Sequence, residues 1–226
     1  MASMRRRGFT LVELLVTVAI IGILLGIAVP GLGAVRRESR NAGCLANLRQ
    51  DFVAIDSFRQ TNANKLPMCE FLPVVTEAGI EGGLPNLLSG YMPPASETWL
   101  CPADLDESST STGTSYVYMP GLLRYAPAVQ ATVVGLLMSS GAGMSPGDLQ
   151  AMRLDAEARA MTAFYEREGQ RYALLTDSQD RHPRTGSERN GVYADGSARV
   201  AFQVREDPEV LEEAGVGPGT GAGGAP

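Results

Sequence analysis

The sequence predicts an α+β protein in which one long N-terminal helix packs on a small antiparallel sheet. An apolar run over residues 9–29 is followed by apolar residues at three- and four-residue spacing as far as about Thr61, which predicts one helix of some fifty residues. Strand patterns at 115–119 (SYVYM) and 172–176 (YALLT), and the turn signal Asp195-Gly196, predict the sheet.

The apolar run predicts a membrane span. As a helix its 21 residues (FTLVELLVTVAIIGILLGIAV) extend roughly 32 Å, enough to cross the hydrocarbon core of a bilayer. Arg5, Arg6 and Arg7 precede it and Pro30 ends it. By the positive-inside rule we expect a single pass with a cytoplasmic N-terminus and an extracytoplasmic remainder.

Glu13 lies inside this run and is the least expected residue in it. A carboxylate in a membrane helix costs about 2.5–3.5 kcal/mol, so it normally has a partner. No basic residue follows before Arg36, which indicates a partner from outside the segment. The alternatives are a plain single-pass anchor, or a secretory leader removed near Gly33-Ala34.

The run Arg6-Arg7-Gly8-Phe9-Thr10-Leu11-Val12-Glu13-Leu14 resembles the class III leader of type IV pilins and type II secretion pseudopilins. The resemblance implies that a prepilin peptidase cuts after Gly8 and methylates the new N-terminus at Phe9. It implies an assembly role for Glu13, with Thr10 in the same motif, because the carboxylate pairs with the amino group of a neighbouring subunit. The implied partners are prepilin peptidase, other pilin or pseudopilin subunits, the inner-membrane assembly platform and the membrane.

Three later phrases, at 44–50 (CLANLRQ), 65–67 (KLP) and 99–104 (WLCPAD), resemble a large subgroup of bacterial pilin-like proteins. The resemblance implies a pilin-like fold for most of the chain.

The expected domain organisation follows from these segments. Residues 1–8 are the leader, 9–29 the transmembrane and assembly helix, and 30–206 an extracytoplasmic head that includes the amphipathic helix. Residues 207–226 are a Gly- and Pro-rich tail that we expect to be disordered. The segment 124–169 is an insertion between the two strands with no functional interpretation.

Near the C-terminus, a two-residue turn at Asp195-Gly196 would pair Tyr193 with Ala198 and Gly191 with Val200. Tyr193, Ala198, Val200 and Phe202 would then share the face that covers the long helix.

Three cysteines, Cys44, Cys69 and Cys101, are too few for a disulfide scaffold and lack the close paired spacing of a zinc site. In an oxidising compartment Cys101 can bond to either Cys44 or Cys69, which would be worth about 2–4 kcal/mol. The alternative is three small buried apolar residues. The resemblance favours Cys44 with Cys101, because both belong to pilin-like phrases.

Asp177, Asp180 and Asp195, with His182, are a candidate set for calcium, and no other cofactor is expected. Asp195 is already explained as a turn residue, and no EF-hand spacing is present. The resemblance adds that some major pseudopilins bind calcium near the C-terminal sheet. His182 is otherwise expected at the surface or anchoring a loop.

The composition and the motifs together favour a structural role. With 19 Lys and Arg against 25 Asp and Glu, the net charge of −6 argues against a nucleic-acid partner. No nucleophile with a paired base is recognisable, so we expect no enzyme. The predicted function is a subunit of a type II secretion pseudopilus or type IV pilus-like filament, held in the bacterial inner membrane and extracted into the filament. The alternative is a membrane-anchored extracytoplasmic binding module that uses the helix only as a tether.

Overall fold

The structure is a computed structural model that describes residues 11–104, 109, 111–138, 145–182 and 189–201, without the side chains of residues 28–31 and 128. The chain divides into two compact units, one ending at Ser39 and the other beginning at Arg40. The predicted leader (residues 1–8) and the predicted tail (207–226) lie outside the described residues.

Helix α1 (Leu11–Thr61) has 51 residues and ends where the apolar periodicity predicts. After it, Ala63 and Asn64 have positive φ values of 53° and 59°, which turns the chain away from the helix. Among the described residues no single helix is both long and apolar enough to cross a membrane, whereas Leu11–Ile27 and Leu32–Thr61, which meet at a break in α1, satisfy length and composition together. The single-pass span stays a prediction.

The head beyond α1 consists of short elements joined by loops. A small hairpin and a short helix come before the first strand of the main sheet, and another short helix follows that strand. A pair of longer helices then separates the first strand of the main sheet from the second. In chain order these elements are β1 (Val74–Thr76), β2 (Gly79–Glu81), α2 (Gly83–Leu87), a 3₁₀ turn (Glu97–Trp99), β3 (Tyr116–Tyr118), α3 (Met119–Leu123), α4 (Pro127–Met138), α5 (Pro146–Glu168), β4 (Leu175–Asp177), β5 (Asn190–Val192) and β6 (Ala198–Val200).

The main sheet has four antiparallel strands in the order β3-β4-β5-β6. Leu175 of β4 lies opposite Tyr118 of β3 on one side and Val192 of β5 on the other. The α+β class, with a long N-terminal helix and a small antiparallel sheet, is confirmed. Strand β3 falls within the predicted segment 115–119, whereas β4 begins three residues later than the predicted 172–176.

The C-terminal hairpin exists, but its predicted register is wrong by one residue. Gly191 pairs with Arg199 rather than with Val200. The loop has three residues, because the Tyr193 amide donates to the Ser197 carbonyl at 3.0 Å and Gly196 takes the left-handed conformation at φ 78°. A type I turn followed by a left-handed residue produces this loop, which carries one residue more than a type I′ turn.

The register shift pairs Ala198 with Val192, so Tyr193 no longer lies opposite Ala198. Val200, predicted on the covered face, has an exposed fraction of 39%, whereas Tyr193 and Ala198 are buried as predicted. Phe202 lies outside the described residues. The turn still lies on the helix, since a Cβ on Gly196 would stand 2.8 Å from Phe52 Cε1.

The core of the head lies between α1 and the sheet. Leu48 and Ile55 of α1 are fully buried, and Phe52 and Phe58 are half-buried against the same cluster. The sheet side contributes large buried side chains, namely Trp99, Tyr116, Tyr118, Leu174, Leu175 and Val192. The predicted apolar stripe of α1 thus packs in the core from Leu45 to Phe58, whereas Val35, predicted at its start, is exposed.

The segment between β3 and β4 forms a helical pair. Helix α4 packs on α5, and both contribute to the core through Val133 and Met161. Ser145 caps α5, its hydroxyl oxygen accepting the Asp148 amide at 3.2 Å, with Pro146 in the first turn.

Candidate functional site

The predicted processing and assembly motif falls only partly within the described residues. Gly8, Phe9 and Thr10 lie outside them, so their roles stay predictions. Glu13 lies in α1, close to the first residue that the structure describes.

The first part of α1 presents an apolar surface on all sides. The large apolar side chains from Leu11 to Ile27 have exposed fractions of 48–79%. Thr17 does not interrupt this surface, because its hydroxyl donates to the Leu14 carbonyl of its own helix at 2.8 Å. A surface of this extent requires lipid or a neighbouring apolar helix.

A second site lies inside the head, where four ionisable side chains meet. Cys44 comes from α1, Cys101 from the loop after the 3₁₀ turn, Asp177 from the end of β4 and His182 from the loop that follows β4. All four are buried, and their ligand atoms lie within 4.8 Å of one another. The cluster therefore joins the long helix to the sheet and to two loops.

Three distances define the geometry of the cluster. Cys101 Sγ lies 3.3 Å from His182 Nε2. Cys44 Sγ lies 3.5 Å from Asp177 Oδ1, and His182 Nε2 lies 3.4 Å from Asp177 Oδ2. The imidazole thus directs one nitrogen, Nε2, toward both a sulfur and a carboxylate.

A second layer of hydrogen bonds holds the cluster in place. The Tyr116 hydroxyl donates to Cys44 Sγ at 3.5 Å, and the Ala103 amide donates to Cys101 Sγ at 3.4 Å. The Asn190 amide donates to Asp177 Oδ2 at 2.7 Å. The side chain of Asn190 donates to Asn41 Oδ1 at 2.8 Å, which links β5 to α1 beside the cluster.

The four groups shift one another's ionisation. The hydrogen bond from Cys44 lowers the pKa of Cys101 to about 5 against the effect of burial, with His182 acting in the same direction. The same hydrogen bond, together with burial and the Asp177 charge, raises the pKa of the Cys44 thiol.

The carboxyl and the imidazole are shifted upward. Burial raises the pKa of Asp177 to about 7, with the charge of Cys101 adding to it. Burial acts to lower the pKa of His182, but the hydrogen bond to Cys101 and the charge of Asp177 outweigh it, so the net direction is upward. Of the three acidic groups only Cys101 is thus shifted toward its charged form, whereas Cys44 and Asp177 are shifted toward their neutral forms.

Next to the cluster lies a buried ion pair. Arg181 Nη2 stands 3.1 Å from Asp104 Oδ2, with side-chain exposures of 5% and 3%. Ser115 extends this network, because its hydroxyl donates to Asp104 Oδ2 at 2.7 Å and accepts the Cys101 amide at 3.0 Å. The loop that carries Cys101 is therefore fixed by charged and polar contacts.

The structure brings Cys44 and Cys101 together but holds all three cysteines as free thiols, so the predicted bond is not formed in it. Cys69 lies outside the cluster. The proximity of Cys44 and Cys101 agrees with the pairing that the pilin-like phrases favour over Cys69. The bond itself stays a prediction.

The candidate calcium set is not assembled. Asp180 pairs instead with Arg189, whose Nε lies 2.5 Å from Asp180 Oδ1. Asp195 accepts the Ser197 amide at 2.9 Å within the hairpin loop, as a turn residue does. Of the predicted carboxylates only Asp177 joins the cluster, and it does so with two sulfurs that calcium does not favour.

His182 is buried and does not lie at the surface. Its ring contacts an aspartate, Asp177. The sequence signals for this cluster were the cysteines in two pilin-like phrases. No spacing rule links them to Asp177 and His182, because the fold alone brings these positions together.

The match to a family model concerns the N-terminal segment. Residues 3–29 match the family model of the prokaryotic N-terminal methylation motif. The type IV major pilin protein PilA of Myxococcus xanthus (strain DK1622) is 44% identical over 54 residues, which cover 24% of each chain. This chain thus spans about a quarter of the length of that curated relative.

No solved structure matches the chain. The methylation motif implies an N-terminal membrane anchor. The sequence match and the long helix followed by a small antiparallel sheet agree with each other. The chain is therefore similar to type IV pilins, and its residues 3–29 carry the prepilin-type methylation motif.

Proposed function

We propose that this chain is a structural subunit of a type II secretion pseudopilus or type IV pilus-like filament, processed after Gly8, methylated at Phe9 and assembled through the first part of α1. The observation that carries the proposal is the match of residues 3–29 to the methylation motif, within which the helix Leu11–Ile27 exposes apolar side chains on every side and carries Glu13. The proposed partners are prepilin peptidase, other subunits and the inner-membrane assembly platform.

The exposed apolar surface of the first part of α1 is explained by the two environments that the subunit occupies in turn. In the membrane the helix Leu11–Ile27 is covered by lipid, and in a filament the same surface is covered by the helices of neighbouring subunits. Lipid tails and the side chains of a neighbouring apolar helix surround aliphatic groups in a similar way, so moving the helix from one environment to the other costs little free energy. The helix can therefore serve as an anchor first and as the filament core afterwards.

Glu13 supplies the specificity that apolar contact lacks. Cleavage after Gly8 would create an ammonium group at Phe9, and a neighbouring subunit can offer that group to the carboxylate. Pairing with this ammonium group in trans would stabilise the ionised carboxylate in the assembled filament, so the ion pair would favour assembly. A mere tether requires neither Glu13 nor a glycine at the cleavage position, which separates the filament subunit from the membrane-anchored binding module.

The test compares Glu13→Leu with the wild type in cells that assemble filaments. Removing the carboxylate makes the helix more apolar, so we expect membrane insertion to be unchanged or better. We expect incorporation into sheared filaments to fall at least tenfold. Thr17→Val is the matched control one turn further along, because the Thr17 hydroxyl is satisfied within its own helix.

Quantitative immunoblots of membrane and filament fractions decide the result. Filament incorporation of Glu13→Leu at the wild-type level, with equal membrane content, would contradict the assembly role. A loss of incorporation in Thr17→Val equal to that in Glu13→Leu would show that any change of this helix disturbs assembly, and would also contradict the specific pairing.

A further inference from the structure

We propose that Cys44, Cys101, Asp177 and His182 form a structural zinc site that fastens α1 to the sheet inside the head. This proposal is independent of the filament function, because it concerns how the head is held together.

The first support is the geometry of the four ligand atoms. With Zn–S bonds of about 2.3 Å and Zn–N or Zn–O bonds of about 2.0–2.2 Å, a regular tetrahedron separates sulfur from nitrogen or oxygen by about 3.5 Å, and nitrogen from oxygen by about 3.4 Å. The structure has 3.3 Å from Cys101 Sγ to His182 Nε2, and 3.8 Å from Cys44 Sγ to Asp177 Oδ2. It has 3.4 Å from His182 Nε2 to Asp177 Oδ2.

These separations are those of atoms around one common centre. All four ligand atoms lie within 4.8 Å of one another, so no atom is displaced from the set. Hydrogen bonds alone would require these four side chains only to meet in pairs. Four donors that face one another from four separate chain segments are the arrangement that a bound ion organises.

The chemical nature of the ligands selects the metal. Two thiolates, one imidazole and one carboxylate suit zinc, which takes four nitrogen, sulfur and oxygen ligands in a tetrahedron. Calcium and magnesium require more oxygen ligands than Asp177 provides. Because all four positions are taken by protein and all four side chains are buried, the site is closed and structural.

The surroundings are those of a prepared metal site. The Ala103 amide and the Tyr116 hydroxyl already donate to the two sulfurs, and the Asn190 amide donates to the carboxylate. Such outer contacts orient the ligands and stabilise their negative charge. On binding, each thiol that still carries a proton releases it to solvent as its Zn–S bond forms, so no oxidation or reduction takes place.

A disulfide between Cys44 and Cys101 is the competing state, and it accounts for fewer of the observations. It uses the two sulfurs, but it does not explain why Asp177 and His182, which contact each other at 3.4 Å, are both directed toward those sulfurs. It also requires removal of two electrons by an oxidant, whereas zinc binding requires only the ion. The two states exclude each other, because a disulfide sulfur is not a thiolate ligand.

The experiment uses the full-length chain extracted in detergent, reduced, stripped of metal with a chelator and then titrated with zinc in competition with a chromophoric chelator. We expect one zinc per chain. Cobalt then serves as the spectroscopic probe, since a tetrahedral site with thiolate ligands gives intense visible bands and a sulfur-to-cobalt charge-transfer band. X-ray absorption of the zinc form should show two sulfur and two nitrogen or oxygen neighbours.

The variants Cys44→Ser and Cys101→Ser should each weaken zinc binding at least 100-fold. Cys69→Ser is the matched control, because this cysteine lies outside the cluster and should leave zinc binding unchanged. Absorption spectroscopy of the wild type remains decisive even where a site variant fails to fold.

Three results would overturn the proposal. The first is failure of the reduced wild-type chain to bind zinc stoichiometrically. The second is a zinc environment without sulfur, or binding that Cys69→Ser abolishes. The third is a chain purified without reductant that is two hydrogens lighter and has Cys44 and Cys101 joined, which would establish the disulfide. Because every readout is made on the isolated chain, failure here leaves the filament proposal untouched.

Discussion

Asp51 is a buried carboxylate on α1 whose replacement should stabilise the protein. Its side chain has an exposed fraction of 0%, and neither carboxylate oxygen has a hydrogen-bond partner of good geometry among the described residues. Burial raises the pKa of Asp51 well above its usual value of 3.8, with the Thr98 hydroxyl acting in the opposite direction. Asp51→Asn keeps the shape of the side chain and removes its charge.

The sign of the effect follows from the direction of the pKa shift. Between the unfolded pKa and the raised folded pKa, the folded state binds more protons than the unfolded state, so stability falls as the pH rises through this range. Below about pH 4 both states carry the proton and the contribution of Asp51 disappears. The cost is therefore largest at neutral pH.

Its magnitude follows from removal of the charge, because the asparagine amide at this position still lacks partners. An unsatisfied buried polar group costs about 1–3 kcal/mol, and more when it is charged. We expect Asp51→Asn to raise the free energy of unfolding at neutral pH by about 1–3 kcal/mol, and the Tm by about 2–4 °C for each kcal/mol in a chain of this size.

The assay is thermal unfolding of the full-length chain in detergent, followed by near-ultraviolet circular dichroism at neutral pH and at pH 4. The matched control is Asp56→Asn on the same helix, whose carboxylate accepts a hydrogen bond from Gln60 at 2.8 Å. We expect Asp56→Asn to be neutral or slightly destabilising. A lower Tm for Asp51→Asn at neutral pH, or a gain that persists undiminished at pH 4, would refute the reasoning.

Two further substitutions test the packing of the head. Gly196→Ala places a Cβ on a residue with φ 78° and 2.8 Å from Phe52 Cε1. We expect the free energy of unfolding to fall by about 1–2 kcal/mol from the backbone conformation alone. Gly90→Ala is the control and should change stability little, because a Cβ there meets nothing within 4 Å. Equal Tm values for the two variants would contradict the position of the hairpin turn. Asp104→Asn breaks a buried ion pair and should lower the free energy of unfolding by about 3–5 kcal/mol. Asp180→Asn breaks an exposed ion pair and should lower it by about 0–1 kcal/mol. Equal losses of the two variants in denaturant unfolding would contradict the burial of Asp104.

The long helix could be predicted because its signals are local. The apolar run and the three- and four-residue spacing after it specify one helix that ends at about Thr61, and the structure ends it there. Strand β3 has an equally local signal in its alternating aromatic residues.

The hairpin register was missed because two turn types share one sequence signal. Asp195-Gly196 is typical of a type I′ turn, but a glycine in the left-handed conformation also closes the three-residue loop that the structure contains. The choice between them is decided by packing, since Gly196 meets the ring of Phe52 on α1. A contact of this kind is long-range and has no sequence signature.

The buried cluster could be predicted only in part, for the same reason. The pilin-like phrases single out Cys44 and Cys101, but Asp177 and His182 join them through the fold alone. The apparent calcium ligands are close in sequence and separate in space, whereas the four clustered residues are mostly distant in sequence and close in space.

The measurement that tests the filament proposal most directly is the mass of the mature N-terminus of the chain purified from its own cells. Cleavage after Gly8 and one added methyl group give a chain that begins with N-methylated Phe9, and tandem mass spectrometry of the N-terminal peptide reads both changes at once. That result is expected if residues 3–29 act as the methylation motif that they match. An N-terminus near Ala34 or Val35, or an unprocessed chain that begins at Met1 in cells with active prepilin peptidase, would contradict it.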